Sequence, residues 1–289
     1  MLPALPLAHW VHDLDPFLVR FTENFGIRYY GLAYLLGFIA AAWLLHLYHR
    51  RNLTPLNLNA SLDLMFYLIA GTLIGGRLGS YFLYGGWRSF SDDPLGVFKL
   101  WQSGMASHGG FAGVAVAMAL FARSRKVPFP HLADLVATAA PVGIFLGRIA
   151  NFINGELWGR ISNVPWAVIF PDSARPGTPP ELIAPRHPSQ LYEAALEGLL
   201  LLAYMQIRLW KSDAVRTRPG RLAGEFLIGY AAVRAIGELF READAGVSLI
   251  LGLHRGTFFS IFLVFAGAAL IWRARRTARP AVRPTRSAP

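Results

Sequence analysis

The chain has 289 residues, 54% of them hydrophobic and only 16% charged, with no cysteine and a formal charge of +11. That hydrophobicity excludes an intrinsically disordered chain, and the missing cysteines exclude a disulfide-stapled secreted domain. A sequence pI near 10.4 points toward nucleic acid only if the basic residues do not flank membrane spans, where they set topology instead.

In chain order, residues 1–29 come first. Phe17, Phe21 and Phe25 recur there at helical spacing, which predicts an amphipathic extracytoplasmic arm lying on the outer membrane surface. The segment lacks the basic leader and small-residue cleavage site of a signal peptide. Seven apolar runs follow, at 30–48, 62–84, 104–122, 132–153, 189–207, 224–240 and 257–272. Each approaches the roughly 20 residues that cross about 30 Å of hydrocarbon, and no strand-period alternation competes with them. The expected fold is an all-α integral membrane protein, a bundle of seven transmembrane helices over 30–272. Two outer connections are long, 85–103 with Asp92, Asp93 and Pro94, and 154–188 with seven prolines. Loops of that length are more often functional than idle. Within the second, VPWAVIF at 164–170 predicts a short strand and a small extracytoplasmic cap. The basic, proline-rich tail 273–289 is expected to be cytoplasmic and disordered.

Orientation follows from charge. The connections after the first, third and fifth runs, with the tail, hold 16 of the 28 basic residues and a single acid, Asp213. The positive-inside rule therefore places the N-terminus outside and the tail in the cytoplasm. Basic charge spread over four segments flanking spans suits anionic lipid headgroups, and nucleic acid is not an expected partner.

Ionisable groups within spans cost about 2.5–3.5 kcal/mol each on insertion scales. This chain carries Arg77, His108, Arg148, Glu193, Glu197, Arg234 and Glu238 in or at the ends of its spans. The alternating topology gathers Tyr30, His108, Arg148, Asn151, Glu193, Arg234 and Glu238 in the outer half of the membrane, with Arg77 somewhat deeper. Arg148 and Asn151, three apart, share a helical face. The span then ends at Asn154-Gly155, a C-cap signature, with Glu156 beyond. Arginine offers a planar fork of donors that fits phosphate oxygens and keeps its charge. The structural alternative is that Glu156 or Glu193 neutralises Arg148. Arg234 and Glu238 sit at i,i+4 and can pair with each other, while Arg241 at the water boundary fits snorkelling. Histidine moves protons near neutral pH, and Gly109 and Gly110 beside His108 admit either a ligand or a neighbouring helix. Gly71, Gly75 and Gly79, like Gly109 and Gly113, form small-residue packing faces. His187–Glu193 (HPSQLYE) reads as a helix start. No metal-ligand spacing, nucleophile elbow or phosphate loop occurs.

GRIANFINGELWG at 147–159, read as a unit, resembles the signature of the prolipoprotein diacylglyceryl transferase family. YYGLAYLLGF at 29–38, HGG at 108–110, HPSQLYE at 187–193 and RAIGELFRE at 234–242 support it in the right order. One departure is Ala106-Ser107 before His108, where the family resemblance leads one to expect Ser-Phe. The resemblance implies a bacterial cytoplasmic (inner) membrane enzyme with seven spans, its N-terminus and active site facing outward. It implies transfer of the diacylglyceryl group of phosphatidylglycerol to the thiol of the lipobox cysteine in a prolipoprotein signal peptide. A thioether forms and glycerol phosphate leaves, with no metal or nucleotide cofactor. By motif position, His108, Arg234 and Tyr30 are the expected catalytic residues. Arg148, Asn151, Glu156, Gly159 and Glu238, joined by Arg241, Glu193 and His187, are the expected substrate-binding residues. Arginines in a poorly solvated site suit the charge that builds on a departing phosphate, and a thiol of pKa about 8.5 needs a base. A secondary transporter for an anionic metabolite is the rival reading, but it calls for polar residues at all depths and repeat-related halves. A non-catalytic lipid-binding scaffold would leave His108 and the long outer loops without a role.

Overall fold

A membrane-spanning segment must satisfy its backbone hydrogen bonds internally, and a helix does so with every residue. A computed structural model describes residues 9–23, 25–84, 96, 106–242 and 255–278, and among these residues each of the seven apolar runs lies mainly on helix. These are α1 (Tyr29–Arg50), α2 (Leu58–Gly79) with a π-helical continuation at Ser80–Tyr84, α3 (Ser107–Arg125) and α4 (Phe129–Ile153). The fifth run is α5 (Ser189–Glu193), a π-helical segment Ala194–Leu200 and α6 (Leu201–Lys211) in succession. A short α7 (Ala214–Thr217) leads to α8 (Arg221–Glu238), and α9 (Arg255–Arg276) follows. Among the described residues, three stretches are long and apolar enough to cross a membrane by length and composition: Tyr29–Arg50, Leu58–Phe82 and Phe129–Ile153. Phe66, Phe111 and Phe265 stand about 70% exposed on their helices, an outward-facing apolar surface that suits lipid and not water.

The chain divides into two units, Met1–Ala40 with Ala137–Pro289, and Ala41–Val136. In the second unit, α2 and α3 touch backbone to backbone through the expected glycine faces. A Cβ on Gly71 would lie 2.6 Å from the Gly113 carbonyl oxygen and 2.7 Å from the Ala117 Cβ. A Cβ on Gly79 would lie 2.7 Å from the Gly109 Cα. Gly109 thus serves helix packing, whereas an added carbon on Gly110 meets nothing nearer than 3.9 Å. Arg125 on α3 pairs with Asp63 on α2. In the first unit, Gly224 on α8 and Gly267 on α9 make the same kind of contact, each Cβ position lying 2.6 Å from the other's carbonyl oxygen. Arg208 and Arg221 converge on Glu225 at 2.7 and 2.9 Å.

The arm before α1 differs from the helical expectation. It forms β1 (Trp10–Val11), β2 (Phe17–Arg20) and β3 (Gly26–Arg28), with β2 and β3 antiparallel. Asp15 accepts the Phe17 amide at 2.9 Å and pairs with Arg20, which turns the chain into β2 and holds the exposed Asp15 carboxyl below the usual carboxylate range. Phe17 is buried under the guanidinium groups of Arg20 and Arg28, 4.4 and 4.5 Å from its ring centre. Phe21 and Phe25 pack against each other across the hairpin end, their ring centres 5.8 Å apart. The four-residue spacing of the phenylalanines therefore reflects a hairpin, not a helix face, because Val19 and Ile27 favour the pleated backbone that the turn makes available.

In the long connection 154–188, the expected strand is β4 (Val168–Ile169), which pairs in parallel with β1 while Val168 also bridges Arg186. The other long connection, 85–103, lies outside the described residues apart from Gly96, as does the tail from 279 onward. Arg273–Arg276, assigned to the disordered tail by composition, continue α9 as helix. Gly71→Val or Gly113→Val should overpack α2 against α3 and lower stability by about 1–3 kcal/mol. Gly110→Ala should not, and thermal unfolding in detergent distinguishes them.

Candidate functional site

A guanidinium in an apolar bundle needs carboxylate partners, and in the first unit three guanidiniums share the same ones. Arg148 on α4 places Nη1 2.7 Å from Glu193 Oε2, and Nη2 and Nε 2.9 and 3.2 Å from Glu197 Oε2. Arg234 on α8 places Nη1 2.6 Å from Glu193 Oε1 and 3.3 Å from Glu197 Oε1, and Nη2 3.0 Å from Glu238 Oε2. Arg241, one turn past Glu238, brings Nη1 to 3.6 Å from Glu193 Oε1. Glu193 and Glu197 are fully buried, and Glu193 faces all three arginines. The six groups carry equal and opposite formal charge, the condition under which buried ions are tolerated.

Backbone detail explains how α5 and α8 reach this geometry. The fifth run changes from α to π between the two glutamates, as helices often do at functional positions. Gly198 lies in that π segment, where a Cβ would be 2.6 Å from the Phe145 Cβ of α4. Gly237 leaves room for Glu193, whose Cγ would lie 3.3 Å from an added carbon. Tyr230, one turn before Arg234 on α8, lies within electrostatic reach of both arginines and both buried glutamates.

The signature stretch after Arg148 supplies a second layer. The amides of Gly155 and Glu156 donate to the carbonyls of Phe152 and Asn151 at 2.9 and 3.1 Å, with Gly155 at φ +66°. This is the Schellman termination that the Asn154-Gly155 pair predicts. It brings Glu156 back so that the Asn151 side-chain amide donates to its Oε1 at 2.6 Å. From the start of α5, Gln190 donates to the Glu156 carbonyl at 2.6 Å and Ser189 to the Leu157 carbonyl at 3.0 Å. Leu157 is held at φ 58°, a strained backbone for a branched residue.

Gly159 is held mainly through its backbone, and its carbonyl accepts from the Arg186 guanidinium at 3.2 Å. Its amide donates to the His187 carbonyl at 2.9 Å, it bridges Arg241, and a Cβ there would lie 2.5 Å from the Phe240 carbonyl oxygen and 2.7 Å from His187. It ties the signature loop to the residue preceding Arg241. Arg186 pairs with Glu242 on the same ladder. His187, Tyr192 and Phe240 pack edge to face with ring centres 5.3–5.7 Å apart. Burial pushes the His187 imidazole below the usual histidine range, so it is neutral at pH 7. Tyr192 accepts from the Trp166 indole at 2.6 Å, leaving its hydroxyl to donate to His187 Nδ1 at 3.1 Å.

The placement of the expected residues is thus mixed. Arg148, Arg234, Arg241, Glu193 and Glu238 come together, with Asn151 and Glu156 next to Arg148 in sequence on the same helix end. Glu156 bonds to Asn151 and not to Arg148, so the neutralising role considered for it belongs to Glu193 and Glu197. Glu197 had no assigned role, although its i,i+4 spacing from Glu193 on an apolar helix was the available signal. Tyr30, in the first turn of α1, packs on Tyr34 at 5.3 Å. His108 lies in the first turn of α3 and Arg77 on α2, both in the second unit. Arg77 donates to the Gly96 carbonyl at 2.7 Å and lies over the Tyr81 ring. Among the described residues, no group of three or more His, Asp or Glu side chains is arranged to hold a metal ion.

A family model for prolipoprotein diacylglyceryl transferase matches residues 16–273. The chain belongs to that family. It is 43% identical over 287 residues to the phosphatidylglycerol–prolipoprotein diacylglyceryl transferase of Rhodospirillum rubrum, covering 98% of this chain and 99% of the relative. The proteins of the same name from Sinorhizobium medicae and Brucella anthropi are 43% and 40% identical, over 93% and 96% of this chain and 95% and 97% of their own. The chain is accordingly a membrane transferase of lipoprotein maturation.

Removing a partner from a buried ionic network exposes the remaining charges to an uncompensated environment. Glu193→Gln should therefore cost about 3 kcal/mol of stability, and Glu238→Gln clearly less because Glu238 meets one guanidinium. Unfolding of both variants in detergent checks the order. Gly159→Ala should abolish activity by breaking the ladder to Arg241, without raising the lipid requirement gradually.

Proposed function

We propose that the protein transfers the diacylglyceryl group of phosphatidylglycerol to the lipobox cysteine of a prolipoprotein signal peptide. The sulfur bonds to the glycerol carbon of the diacylglycerol moiety, the bond from that carbon to the phosphate oxygen breaks, and glycerol phosphate leaves. The observation carrying the assignment of residues is the convergence of Arg148 and Arg234 on Glu193 and Glu197, with Arg241 reaching Glu193 as well. Arg148 donates through Nε and Nη2 to Glu197 and forms an ion pair with Glu193 through Nη1. The carboxylates hold the guanidinium planes in place before the lipid arrives, so little reorganisation is needed as negative charge grows on the leaving phosphate.

In this reading Arg148 and Arg234 bind the phosphate, and Arg241 and Glu238 complete the ionic frame. Asn151 and Glu156 face the polar headgroup, and Gly159 and His187 keep the loop on its ladder. His108 accepts the thiol proton, and Tyr30 assists at the reacting end. In this reading the chain crosses the bacterial cytoplasmic membrane seven times, with the N-terminus, the arm, the cap and the reaction on the outer side and the basic tail 273–289 on the cytoplasmic side. The charge asymmetry of the connections supports this orientation.

Purified protein mixed with labelled phosphatidylglycerol and a lipobox peptide should yield a lipidated peptide, and a Cys→Ser peptide should not react. His108→Ala should lower transfer by about 10²-fold or more and remove the neutral-pH limb of the rate profile. Near-normal transfer with an unchanged profile would overturn the role of His108.

A further inference from the structure

The N-terminal arm reaches the signature loop through one side chain that the reaction scheme leaves unused. His12 follows β1, and its backbone amide donates to the Ile169 carbonyl at 2.8 Å, continuing the β1–β4 pairing. Its ring is buried between Trp10, Phe152 and Phe170, with ring centres 5.4–5.6 Å away. Nε2 lies 2.7 Å from the Phe152 carbonyl oxygen. A carbonyl only accepts, so Nε2 carries the proton. That same carbonyl accepts the Gly155 amide at 2.9 Å in the Schellman turn. The ring also covers Gly155 itself, where a Cβ would lie 3.1 Å from Cε1 and Nδ1.

Two features make this contact more than packing. Carbonyls at a helix C-terminus lack intrahelical donors, and His12 supplies one at the turn that returns the chain to Glu156. The turn is also where Asn151 and Glu156 join through their side chains at 2.6 Å. We propose that His12 is a positioning residue, a clasp from the N-terminal arm that fixes the Asn151–Glu156 turn for the lipid headgroup. This rests on the headgroup role given above to Asn151 and Glu156.

The test uses the full-length enzyme in phosphatidylglycerol mixed micelles at saturating lipobox peptide, with kcat and the KM for lipid measured separately. His12→Phe keeps the ring and loses the donor, whereas His12→Gln keeps an amide donor near the position of Nε2. Loss of one such hydrogen bond should raise the lipid KM roughly fivefold in His12→Phe with kcat within about twofold. His12→Gln should return both to within about twofold of the parent. His12→Asn, whose amide stops short of the carbonyl, should behave like His12→Phe and replaces it if the phenylalanine variant fails to fold. A parental KM in the Phe and Asn variants would overturn the clasp, as would a Gln variant no better than they are. A fall in kcat with no change in KM would overturn it too. Glu156→Gln separates the two readings: if it leaves the KM unchanged, the headgroup assignment itself fails. A raised KM in Glu156→Gln beside a normal KM in His12→Phe removes the clasp alone.

Discussion

The sharing of Glu193 and Glu197 between Arg148 and Arg234 is the constraint on which the rest of the first unit is built. A lone guanidinium in hydrocarbon costs several kcal/mol, and one private carboxylate per arginine would neutralise the charges without collecting them. Two fully buried glutamates, four residues apart and joined by a π-helical segment, instead draw α4 and α8 to one point. Arg241 reaches the same carboxylate from beyond the end of α8. The result is a neutral group of ions whose donors are fixed in direction, which is what stabilising a departing phosphate requires.

Neutrality also explains why so much backbone irregularity gathers nearby. Gly155 and Leu157 both adopt the left-handed conformation within three residues. Gly159 runs between His187 and the Phe240 carbonyl, too close for any side chain, and Gln190 and Ser189 from α5 bind the carbonyls of the turn. Each device settles where Glu156 and Arg241 sit relative to the arginine pair. Strain of this kind survives where surrounding contacts over-determine it. In this site the ladder to His187 and Phe240, and the arm seated on Phe152, provide those contacts.

Much of this was legible from residue order alone. Runs of about 20 apolar residues announced the helices, and the paired glycine spacings on α2 and α3 announced their close contact. Asn154-Gly155 announced the helix end. The ionisable residues within apolar runs identified most of the site, because few reasons exist to keep them there. What escaped was information carried by the third dimension. The phenylalanines at 17, 21 and 25 fit a helical period, but an Asp15 turn and arginines stacked on Phe17 made a hairpin. Glu197 carries no assignment in the sequence, because only the fold shows it between two arginines. Gly159 reads as part of a ligand signature, and nothing in residue order shows that it is also wedged between His187, Arg186 and the Phe240 carbonyl. No linear pattern announced the histidine on the C-cap, since His12 lies 140 residues from the carbonyl that it meets.

The central claim is that Arg148 and Arg234 grip the lipid phosphate as oriented forks and not merely as positive charges. Equilibrium binding of labelled phosphatidylglycerol to Arg148→Lys tests it most directly, because lysine keeps the charge balance with Glu193 and Glu197 while losing the fork. The affinity should fall by about tenfold or more in a protein that remains folded. Unchanged affinity for the lipid in that variant would contradict the account.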